Sequence, residues 1–400
     1  MKVGVIGAGA SGLMACSFID ESHEVYLIDQ NEKLGKKIYI TGKGRCNITN
    51  DSDVENLLEN INTNKNFCYS PFYSFTSQDM ISFLEKNGLK TKTERGNRVF
   101  PLSDKSSDVI KLFEKVLKKR GVKIRLKEKV LDIVKNDSYH VLTDKATYDF
   151  DKLIIACGGR SYKATGSDGS LYPIIEKLGH NMVAMKAGLV PVILKEDVSR
   201  FEGISLRNIG LSCSCDGKLI YKEQGELVFT HDGLSGPLVL TLSSKLAKRE
   251  GNIEISIDLK PGLYFEKLDE RILRDFDANK NKSVENSLSK ITISALIRPI
   301  LKNSGVDPDK KTNLITKEER ARIVESIKKM KFTYLANKDI NYAIISIGGV
   351  NVDEINPSTM ESKLNKNLYF CGEVIDVDAY TGGYNLQFAF STGYLAGVNI

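Results

Sequence analysis

The sequence has little of what metal centres and disulfide frameworks require. Its seven cysteines form no C-x-x-C pair and no Cys/His cluster, and the nearest two, Cys213 and Cys215, have C-x-C spacing. The four histidines lie far apart in the chain: His23, His140, His180 and His231. These absences argue against a zinc site or a redox disulfide, and they predict reduced, buried thiols in a cytoplasmic protein without a metal site.

Long apolar runs are also absent. No stretch of about 18 apolar residues occurs, so we predict no transmembrane helix and no membrane partner. The apolar start of the chain, VGVIGAGASGLMA (3–15), superficially resembles a secretory signal peptide. Such peptides are rarely so rich in glycine, and a cytoplasmic protein is therefore predicted. The glycosylation pattern at Asn47-Ile48-Thr49 then lies in the wrong compartment.

A strong charge of one sign is missing as well. The 57 basic residues nearly balance the 51 acidic ones, and the net charge of +6 is too small to indicate a nucleic-acid partner. With 41% hydrophobic and 27% charged residues, the composition is that of a globular protein. A chain of 400 residues is long enough for about two or three domains.

The first thirty residues have the order of a dinucleotide-binding unit. KVGVI (2–6) predicts a buried parallel strand, GAGASG (7–12) leads into a helix, and HEVYLID (23–29) predicts a second strand that ends in an acid. The glycines permit the turn, the approach of a pyrophosphate and close helix packing, and the acid can bind ribose. This motif alone does not separate FAD from NAD(P). The predicted contacts are Gly7, Gly9, Ala10, Ser11, Gly12, Asp29 and Gln30.

The C-terminal stretch NLYFCGEVIDVDAYTGGYNLQFAFSTGYLAGVNI (367–400) favours FAD. A strand over 368–371 is followed by Gly-Glu and then by an aspartate, the arrangement with which many flavoproteins hold the ribityl chain. Two glycines precede a helix predicted over 384–398, whose bare N–H groups can stabilise negative charge on a flavin ring. The predicted contacts are Gly372, Glu373, Asp376, Gly382, Gly383, Tyr384 and Asn385.

Two further strand ends are predicted to return to the cofactor. DKLIIACGGRS (151–161) is a buried strand that ends in a turn of small residues. KIRLKEKV (123–130) ends another strand, at a position from which the backbone often contacts adenine. The predicted contacts are Ala156, Gly158, Gly159 and Val130.

The stretch ITGKGRCNITN (40–50) follows the second strand and is therefore expected near the nucleotide crevice. Its glycine spacing is wrong for a Walker A loop, and its cysteine is predicted to be a packing residue rather than a redox thiol. We predict a second clamp, in which Arg45 pairs with the pyrophosphate, Asn47 adds a polar contact, and Lys43 or Lys37 supplies charge. The predicted contacts are Lys37, Gly42, Gly44, Arg45, Cys46 and Asn47.

The middle of the chain has a different character. Residues 264–331 have helical spacing, and Thr316 and Glu319 are placed to form a capping box at a helix start. Short strands separated by glycine turns precede this segment. They are predicted at 190–194, 210–215, 227–230 and 253–259.

Five blocks of sequence together resemble the BaiN/aminoacetone-oxidase family of FAD-binding flavoproteins. These blocks are GAGASG (7–12), GKKIYITGKGRCNITN (35–50), GELVFTHDGLSGP (225–237), TMESK (359–363) and LYFCGEVIDVDAYTGGYNLQFAFSTGY (368–394). The resemblance implies an α/β fold with a split Rossmann-like FAD domain of glutathione-reductase type, interrupted by a β-barrel domain that carries a helical insertion. The implied FAD domain consists of residues 1–188 and 342–400. The implied β-barrel domain consists of residues 189–262 and 332–341, and the helical insertion of residues 263–331. One departure is Asp29, where a glutamate is expected.

The resemblance implies a FAD-dependent oxidoreductase that transfers hydride through flavin N5. The family includes members linked to NAD(P)H-dependent reduction of oxo-steroid intermediates and others linked to amine oxidation, so a small organic substrate is expected. The sequence has no second GxGxxG motif, and NAD(P)H would therefore bind transiently over the flavin. Proximity to the motifs alone gives the catalytic candidates Tyr380, Tyr384 and His231.

Two alternatives stay open. Flavoproteins that modify tRNA share the first motif, and residues 264–331 are rich in lysine. This segment has few aromatic residues and charges of both signs, which does not favour an RNA-binding face. The second alternative is a flavin redox sensor without enzymatic activity.

Overall fold

The computed structural model describes all 400 residues. No helix in it combines the length and the apolar character needed to cross a membrane. The strands are β1 (Lys2–Ile6), β2 (Glu24–Asp29), β3 (Thr49–Asn50), β4 (Ile61–Thr63), β5 (Thr91–Glu94), β6 (Arg98–Pro101), β7 (Lys123–Leu126), β8 (Val130–Lys135), β9 (Tyr139–Thr143), β10 (Thr147–Phe150), β11 (Lys152–Ile155), β12 (Met182–Gly188), β13 (Val192–Leu194), β14 (Ser205–Cys215), β15 (Lys218–Thr230), β16 (Gly233–Ser235), β17 (Ile253–Asp258), β18 (Met330–Asn337), β19 (Ile345–Val350), β20 (Leu368–Phe370) and β21 (Asp378–Ala379).

The helices account for most of the remaining regular structure. In chain order they are α1 (Ala10–Phe18), α2 (Lys36–Ile40), α3 (Val54–Glu59), α4 (Tyr69–Ser74), α5 (Ser77–Lys86), α6 (Ser106–Lys119), α7 (Tyr172–Lys177), α8 (Pro237–Leu246), α9 (Phe265–Asp277), α10 (Val284–Ser287), α11 (Ser294–Ser304), α12 (Lys317–Lys328) and α13 (Tyr384–Val398).

The chain divides into two compact units. The first consists of Met1–Leu189 together with Asp339–Ile400, and the second is Val190–Lys338. The first unit is thus discontinuous in sequence and contains the N-terminal glycine motif as well as the C-terminal helix.

A five-stranded parallel sheet forms the centre of the first unit, in the order β20-β11-β1-β2-β7. β1 and β2 coincide with the strands predicted at 2–6 and 23–29, apart from one residue at the start of β2. The Rossmann-type α/β fold predicted for this part is confirmed. Because the strands are parallel, their carboxyl ends lie along one edge of the sheet, where open α/β sheets bind ligands.

The helices α1 and α13 pack side by side through two glycines of the last helix. A Cβ atom at Gly393 would lie 2.4 Å from the carbonyl oxygen of Ser11, and one at Gly397 would lie 2.6 Å from that of Ala15. A larger residue at either position would push the helices apart. Since both contact partners advance by four residues along their chains, the two helices run in the same direction.

Smaller antiparallel sheets complete the first unit. Two of them have three strands, in the orders β10-β9-β8 and β3-β6-β5. The other two have two strands each and bring the C-terminal part of the chain against earlier segments: β12 pairs with β19, and β21 pairs with β4.

Six strands of the second unit form a closed barrel in the order β13-β16-β15-β14-β17-β18. Its core contains fully buried side chains from neighbouring strands, among them Leu211, Phe229 and Ile255. β14 and β15 are longer than the strands predicted at 210–215 and 227–230, because they pair along most of their length as a hairpin.

The helices α9 to α12 lie between β17 and β18 in the chain, in the region where the sequence has helical spacing. Leu268, Ile272 and Phe276 form the buried stripe of α9. The predicted capping box at the start of α12 is confirmed: the Thr316 side chain accepts from the Glu319 N–H, and the Glu319 side chain accepts from the Thr316 N–H.

Candidate cofactor site

A cavity of about 400 Å³ lies at the carboxyl edge of the parallel sheet, and all its lining residues belong to the first unit. It collects residues from both ends of the chain. Most of the contacts predicted from the sequence line this cavity. They are Gly7, Gly9, Ala10, Ser11, Asp29, Gln30, Lys37, Gly42, Asn47, Val130, Ala156, Gly158, Glu373, Gly382, Gly383 and Asn385.

The three glycines of the GxGxxG motif have different surroundings. A Cβ atom at Gly7 would lie 2.3 Å from the carbonyl oxygen of Ala156, and one at Gly12 would lie 1.9 Å from that of Gly7. Gly12 therefore serves helix packing and does not line the cavity. At Gly9 a Cβ atom would meet nothing within 4 Å, so this residue leaves open space for a ligand. Gly9 also precedes α1 without a side-chain cap, which leaves the first N–H groups of the helix available to an anion.

Asp29 at the end of β2 is tied to neighbouring backbone. Its Oδ2 accepts from the N–H of Ala8 at 2.6 Å, and its Oδ1 accepts from the N–H of Asn31 at 2.7 Å and from the side chain of Asn31 at 2.8 Å. Asp29, which is shorter than the glutamate expected at this position, thus holds the turn of the GxGxxG motif in place. Its carboxylate also lines the cavity, and Oδ2, which accepts one hydrogen bond, has a further lone pair for a ribose hydroxyl.

The residues after Asp29 connect β2 to a loop that the sequence analysis missed, at 165–171. The side chain of Gln30 donates to the carbonyl oxygen of Gly166 at 2.9 Å, and that of Asn31 donates to the carbonyl oxygen of Thr165 at 2.9 Å. The whole loop lines the cavity. Its composition, TGSDGSL, is the signal that could have identified it, because glycines and short polar residues are typical of loops that approach a ligand.

A second bare helix end faces the cavity at the start of α13. Gly382 and Gly383 have φ angles of 137° and 102°, and no side chain caps the helix. A Cβ atom at Gly383 would lie 2.4 Å from the backbone of Thr49, so glycine is required there. Gly393 faces Ser11, near the start of α1, and lies about nine residues after the start of α13. The two helix N-termini are therefore offset by roughly 14 Å along the helix axis. Two parallel helix ends at this separation suit the two ends of an extended flavin–pyrophosphate segment.

Lys37 and Glu373 form an ion pair in the cavity wall. Lys37 Nζ lies 2.6 Å from Glu373 Oε2 and donates to the Ser161 hydroxyl at 2.7 Å. Glu373 Oε1 accepts from the N–H of Ser346 at 2.8 Å. The charge of Lys37 is therefore partly neutralised by Glu373, and one remaining N–H of the ammonium group is left for a ligand.

Arg45 does not reach the cavity, which corrects the predicted pyrophosphate clamp. Its guanidinium pairs with Glu94, donates to Asp104 at 2.8 Å, and lies over the ring of Phe100 at 4.2 Å. The hydrogen bond from Arg45 holds the pKa of Glu94 below its usual range. Glu94 and Asp104 are distant from Arg45 in the sequence. They accept the hydrogen bonds of the guanidinium group that the sequence predicts to pair with the pyrophosphate. Lys43, also considered there, is exposed and does not line the cavity.

The same turn nevertheless delivers two residues to the cavity, Gly42 and Asn47. Asn47 Oδ1 is buried and accepts no hydrogen bond from the protein, which leaves an acceptor without a partner at the cavity wall. Cys46 is fully buried, and burial raises its thiol pKa to about 12. The prediction that Cys46 is a packing residue agrees with this burial, and neither it nor Gly44 lines the cavity.

Four other predicted contacts also lie outside the lining. Asp376 is buried and accepts from the Asn64 side chain at 3.1 Å, which turns its carboxylate towards β4. Gly159 and Gly372 are close-packing positions, where a Cβ atom would lie 2.5 Å from the Ser346 hydroxyl and 2.4 Å from the Ser11 hydroxyl. The fourth is Tyr384.

Of the three catalytic candidates, Tyr380 lines the cavity. Its hydroxyl donates to Asn62 Oδ1 at 3.2 Å. The hydroxyl of Tyr384 lies 3.4 Å from Asn56 Oδ1, and burial raises the pKa of this phenol. His231 belongs to the second unit, where it is exposed and lies 3.1 Å from Glu202.

The residues present fit FAD. An open glycine and a bare helix end suit the pyrophosphate, a second bare helix end suits the electron-rich side of the flavin ring, and Asp29 suits a ribose. The acceptor without a partner on Asn47 fits a ligand that brings a hydrogen-bond donor. When bound, FAD would supply hydride chemistry at its N5 atom.

The different surroundings of Gly9 and Gly12 lead to a paired prediction. Gly9→Ala should leave the unfolding free energy of the flavin-free protein within about 0.5 kcal/mol of the original, but weaken FAD binding by about 1–3 kcal/mol, or roughly 5- to 150-fold. Gly12→Ala should instead destabilise the flavin-free protein, because its Cβ would meet a backbone oxygen. Denaturant unfolding and titration with FAD measure the two effects. Unchanged FAD affinity in Gly9→Ala would contradict the assignment.

Asn47 gives a second prediction, in which stability and affinity change in opposite directions. Asn47→Ala removes a buried acceptor that has no partner, so the flavin-free protein should become more stable by about 1 kcal/mol. The same change removes one hydrogen bond to FAD and should raise the Kd by about 5-fold. Arg45→Lys is the comparison, since it alters the neighbouring turn outside the cavity. A loss of stability together with unchanged affinity in Asn47→Ala would show that this side chain serves only the fold.

Comparison with known proteins places the chain in a family. The family model described as HI0933-like protein Rossmann domain matches residues 1–399. The chain is 28% identical over 404 residues to a 3-dehydro-bile acid delta(4,6)-reductase of Clostridium scindens, which covers 99% of this chain and 98% of the relative. It is 29% identical over 396 residues to a ribosomal RNA dihydrouridine synthase of Escherichia coli, covering 98% of this chain and 95% of the relative.

A protein of the same description from Haemophilus influenzae is 28% identical over 408 residues, covering 99% of this chain and 97% of the relative. The residues matched by the family model include the glycine motif, the loop at 40–50 and the C-terminal helix. The chain therefore belongs to the HI0933-like protein Rossmann domain family and is, with that family, a FAD-dependent oxidoreductase.

Proposed function

We propose that the protein uses reduced FAD to saturate a carbon–carbon double bond conjugated to a carbonyl group. The observation that carries the proposal is the composition of the cavity at the start of α13: bare helix N–H groups and a phenol, without a histidine among the lining residues. Such a site suits a neutral, polarisable substrate better than it suits hydrolysis. The names of the bile acid reductase and of the dihydrouridine synthases both describe the saturation of a double bond, which supports the same chemistry.

Within this proposal Tyr380 holds the substrate carbonyl. The segment around it is rigid, because the N–H of Tyr380 donates to the carbonyl oxygen of Asn60 at 3.0 Å and the Asn385 side chain donates to that of Ala379 at 2.8 Å. The phenol hydrogen can rotate from Asn62 towards a carbonyl oxygen in the cavity. A hydrogen bond there withdraws electron density from the double bond and favours hydride addition at the β-carbon. The enolate that results takes a proton from water at its α-carbon, which completes the saturation.

We propose a small polycyclic or cyclic enone as the substrate. The cavity offers apolar surface from Val377, Leu386 and Ile345 for such a ring, and the net charge of +6 is modest. Uridine in RNA is a second candidate, favoured by the names of the relatives from Escherichia coli and Haemophilus influenzae. Its ring contains the same conjugated arrangement, so one chemistry serves both substrates. Oxidation of an amine is the third activity to test.

We further propose NAD(P)H as the electron donor, bound transiently over the flavin, because the chain has one GxGxxG motif.

A cytoplasmic location fits the seven cysteines, none of which forms a disulfide. We also propose that the barrel and helices of the second unit act as a domain inserted into the FAD domain.

The central test is a two-step flavin experiment. The purified protein should be yellow, and anaerobic NADH or NADPH should bleach its flavin. The reduced protein should then be reoxidised by a cyclic enone but not by the saturated ketone of the same skeleton. Uridine-containing ribosomal RNA fragments, amines under oxidising conditions and oxygen form the other arms. A colourless protein that FAD does not stabilise, or a reduced flavin that neither enones nor RNA reoxidise, would overturn the proposal.

Tyr380→Phe separates the two halves of this cycle. Reduction of the flavin should proceed at the original rate, since the donor does not need the phenol. Reoxidation by the enone should slow by about 10- to 100-fold, the value of one hydrogen bond to a developing charge. Tyr73→Phe is the matched control, because it removes an exposed hydroxyl that bonds to Glu55 at 2.6 Å. Equal reoxidation rates in both variants would remove Tyr380 from the mechanism.

A further inference from the structure

We propose that Glu128 accepts a hydrogen bond from a donor on the adenosine half of the cofactor. This contact makes the site selective for FAD over flavin nucleotides that lack the donor. The residue follows the carboxyl end of β7 and precedes Val130, the predicted adenine contact. It lines the cavity although only 4% of its surface is exposed. This proposal concerns the cofactor alone and does not depend on which substrate the enzyme reduces.

The hydrogen bonds of Glu128 are one-sided. The hydroxyl of Tyr148 donates to Oε1 at 2.8 Å, and the hydroxyl of Thr143 lies 2.8 Å from the same oxygen. No hydrogen bond reaches Oε2, and this oxygen is not among the fully enclosed polar atoms without a partner. The carboxylate is therefore fixed through one oxygen, and the other is available at the cavity wall.

The chemistry of a carboxylate restricts what it can bind. An ionised glutamate only accepts hydrogen bonds, and a buried acceptor without a donor is costly by about 1–3 kcal/mol. A ligand that brings an N–H or O–H group to Oε2 offsets this cost. Phosphates bring none, and they repel the carboxylate.

The position of Glu128 in the fold identifies the part of the cofactor that supplies the donor. The backbone N–H of Glu128 donates to the carbonyl oxygen of Asp29 at 3.0 Å, which places the residue beside the predicted ribose site. Val130 lies two residues further and also lines the cavity. Adenosine has two kinds of donor here, the adenine amino group and the ribose hydroxyls. They share the chemistry that Glu128 recognises, and the experiment separates them.

The test uses three dinucleotides on the flavin-free protein: FAD, its purine analogue, in which hydrogen replaces the adenine amino group, and its 2′,3′-dideoxyadenosine analogue, which lacks both ribose hydroxyls. The readout is the Kd from quenching of flavin fluorescence. If the amino group is the donor, the purine analogue should bind about 10- to 150-fold more weakly than FAD. If a ribose hydroxyl is the donor, the dideoxy analogue should show the loss instead.

Glu128→Gln provides the second half of the test. Its amide can accept or donate, so the discrimination seen with the original protein should shrink to about 5-fold or less. Glu114→Gln on α6 is the control, because this exposed residue lies outside the cavity and should keep the original ratios. The proposal is overturned if the original protein binds all three dinucleotides equally, a result that needs no variant, or if Glu128→Gln keeps the full discrimination.

Discussion

The contact between α1 and α13 is the constraint on which the site depends. The two helices come from opposite ends of the chain, and glycines at 393 and 397 bring them close enough for their backbones to touch. Because the helices are parallel and staggered, both N-termini face the same cavity at different depths. A bulky residue at either glycine would push the helices apart, and with that change the distance between the two helix N-termini, where negative charge is favoured.

The carboxyl edge of the sheet supplies the rest of the cavity wall, and the polar contacts across it connect distant parts of the chain. Asp29 ties β2 to the glycine turn, Asn31 ties it to the loop at 165–171, and Lys37 ties α2 to Glu373. Each of these bonds closes a long chain segment. The apolar core alone is non-directional and would not fix the loops with this accuracy. The shape of the cavity therefore follows from a few directional contacts added to a Rossmann-type core.

Local patterns predicted the local features well. The glycine motif, the first two strands and the capping box of α12 involve residues only a few positions apart, so their physics is contained in a short window of sequence. Arg45 shows the limit of predictions from a short window of sequence. Its partners Glu94 and Asp104 lie far along the chain, so the residues near Arg45 give no indication of these contacts. Asp376 lies outside the cavity lining for a similar reason, since its partner Asn64, which follows β4, is distant in sequence.

Glu128 illustrates the opposite error, a site residue that the sequence hides. The stretch KIRLKEKV alternates charged and apolar residues and is typical of an exposed strand. The hydroxyl groups of Thr143 on β9 and Tyr148 on β10 lie within hydrogen-bond distance of the Glu128 carboxylate. These contacts allow the carboxylate to remain buried at the cavity wall. Buried charges need such support, and they are retained where the charge itself has a use. Asn47 Oδ1 is an enclosed acceptor without a partner before any ligand arrives, so a donor brought by the cofactor would remove a cost that folding alone leaves in place. Binding to the folded state stabilises that state, and FAD is in this sense part of the core that joins the two ends of the chain.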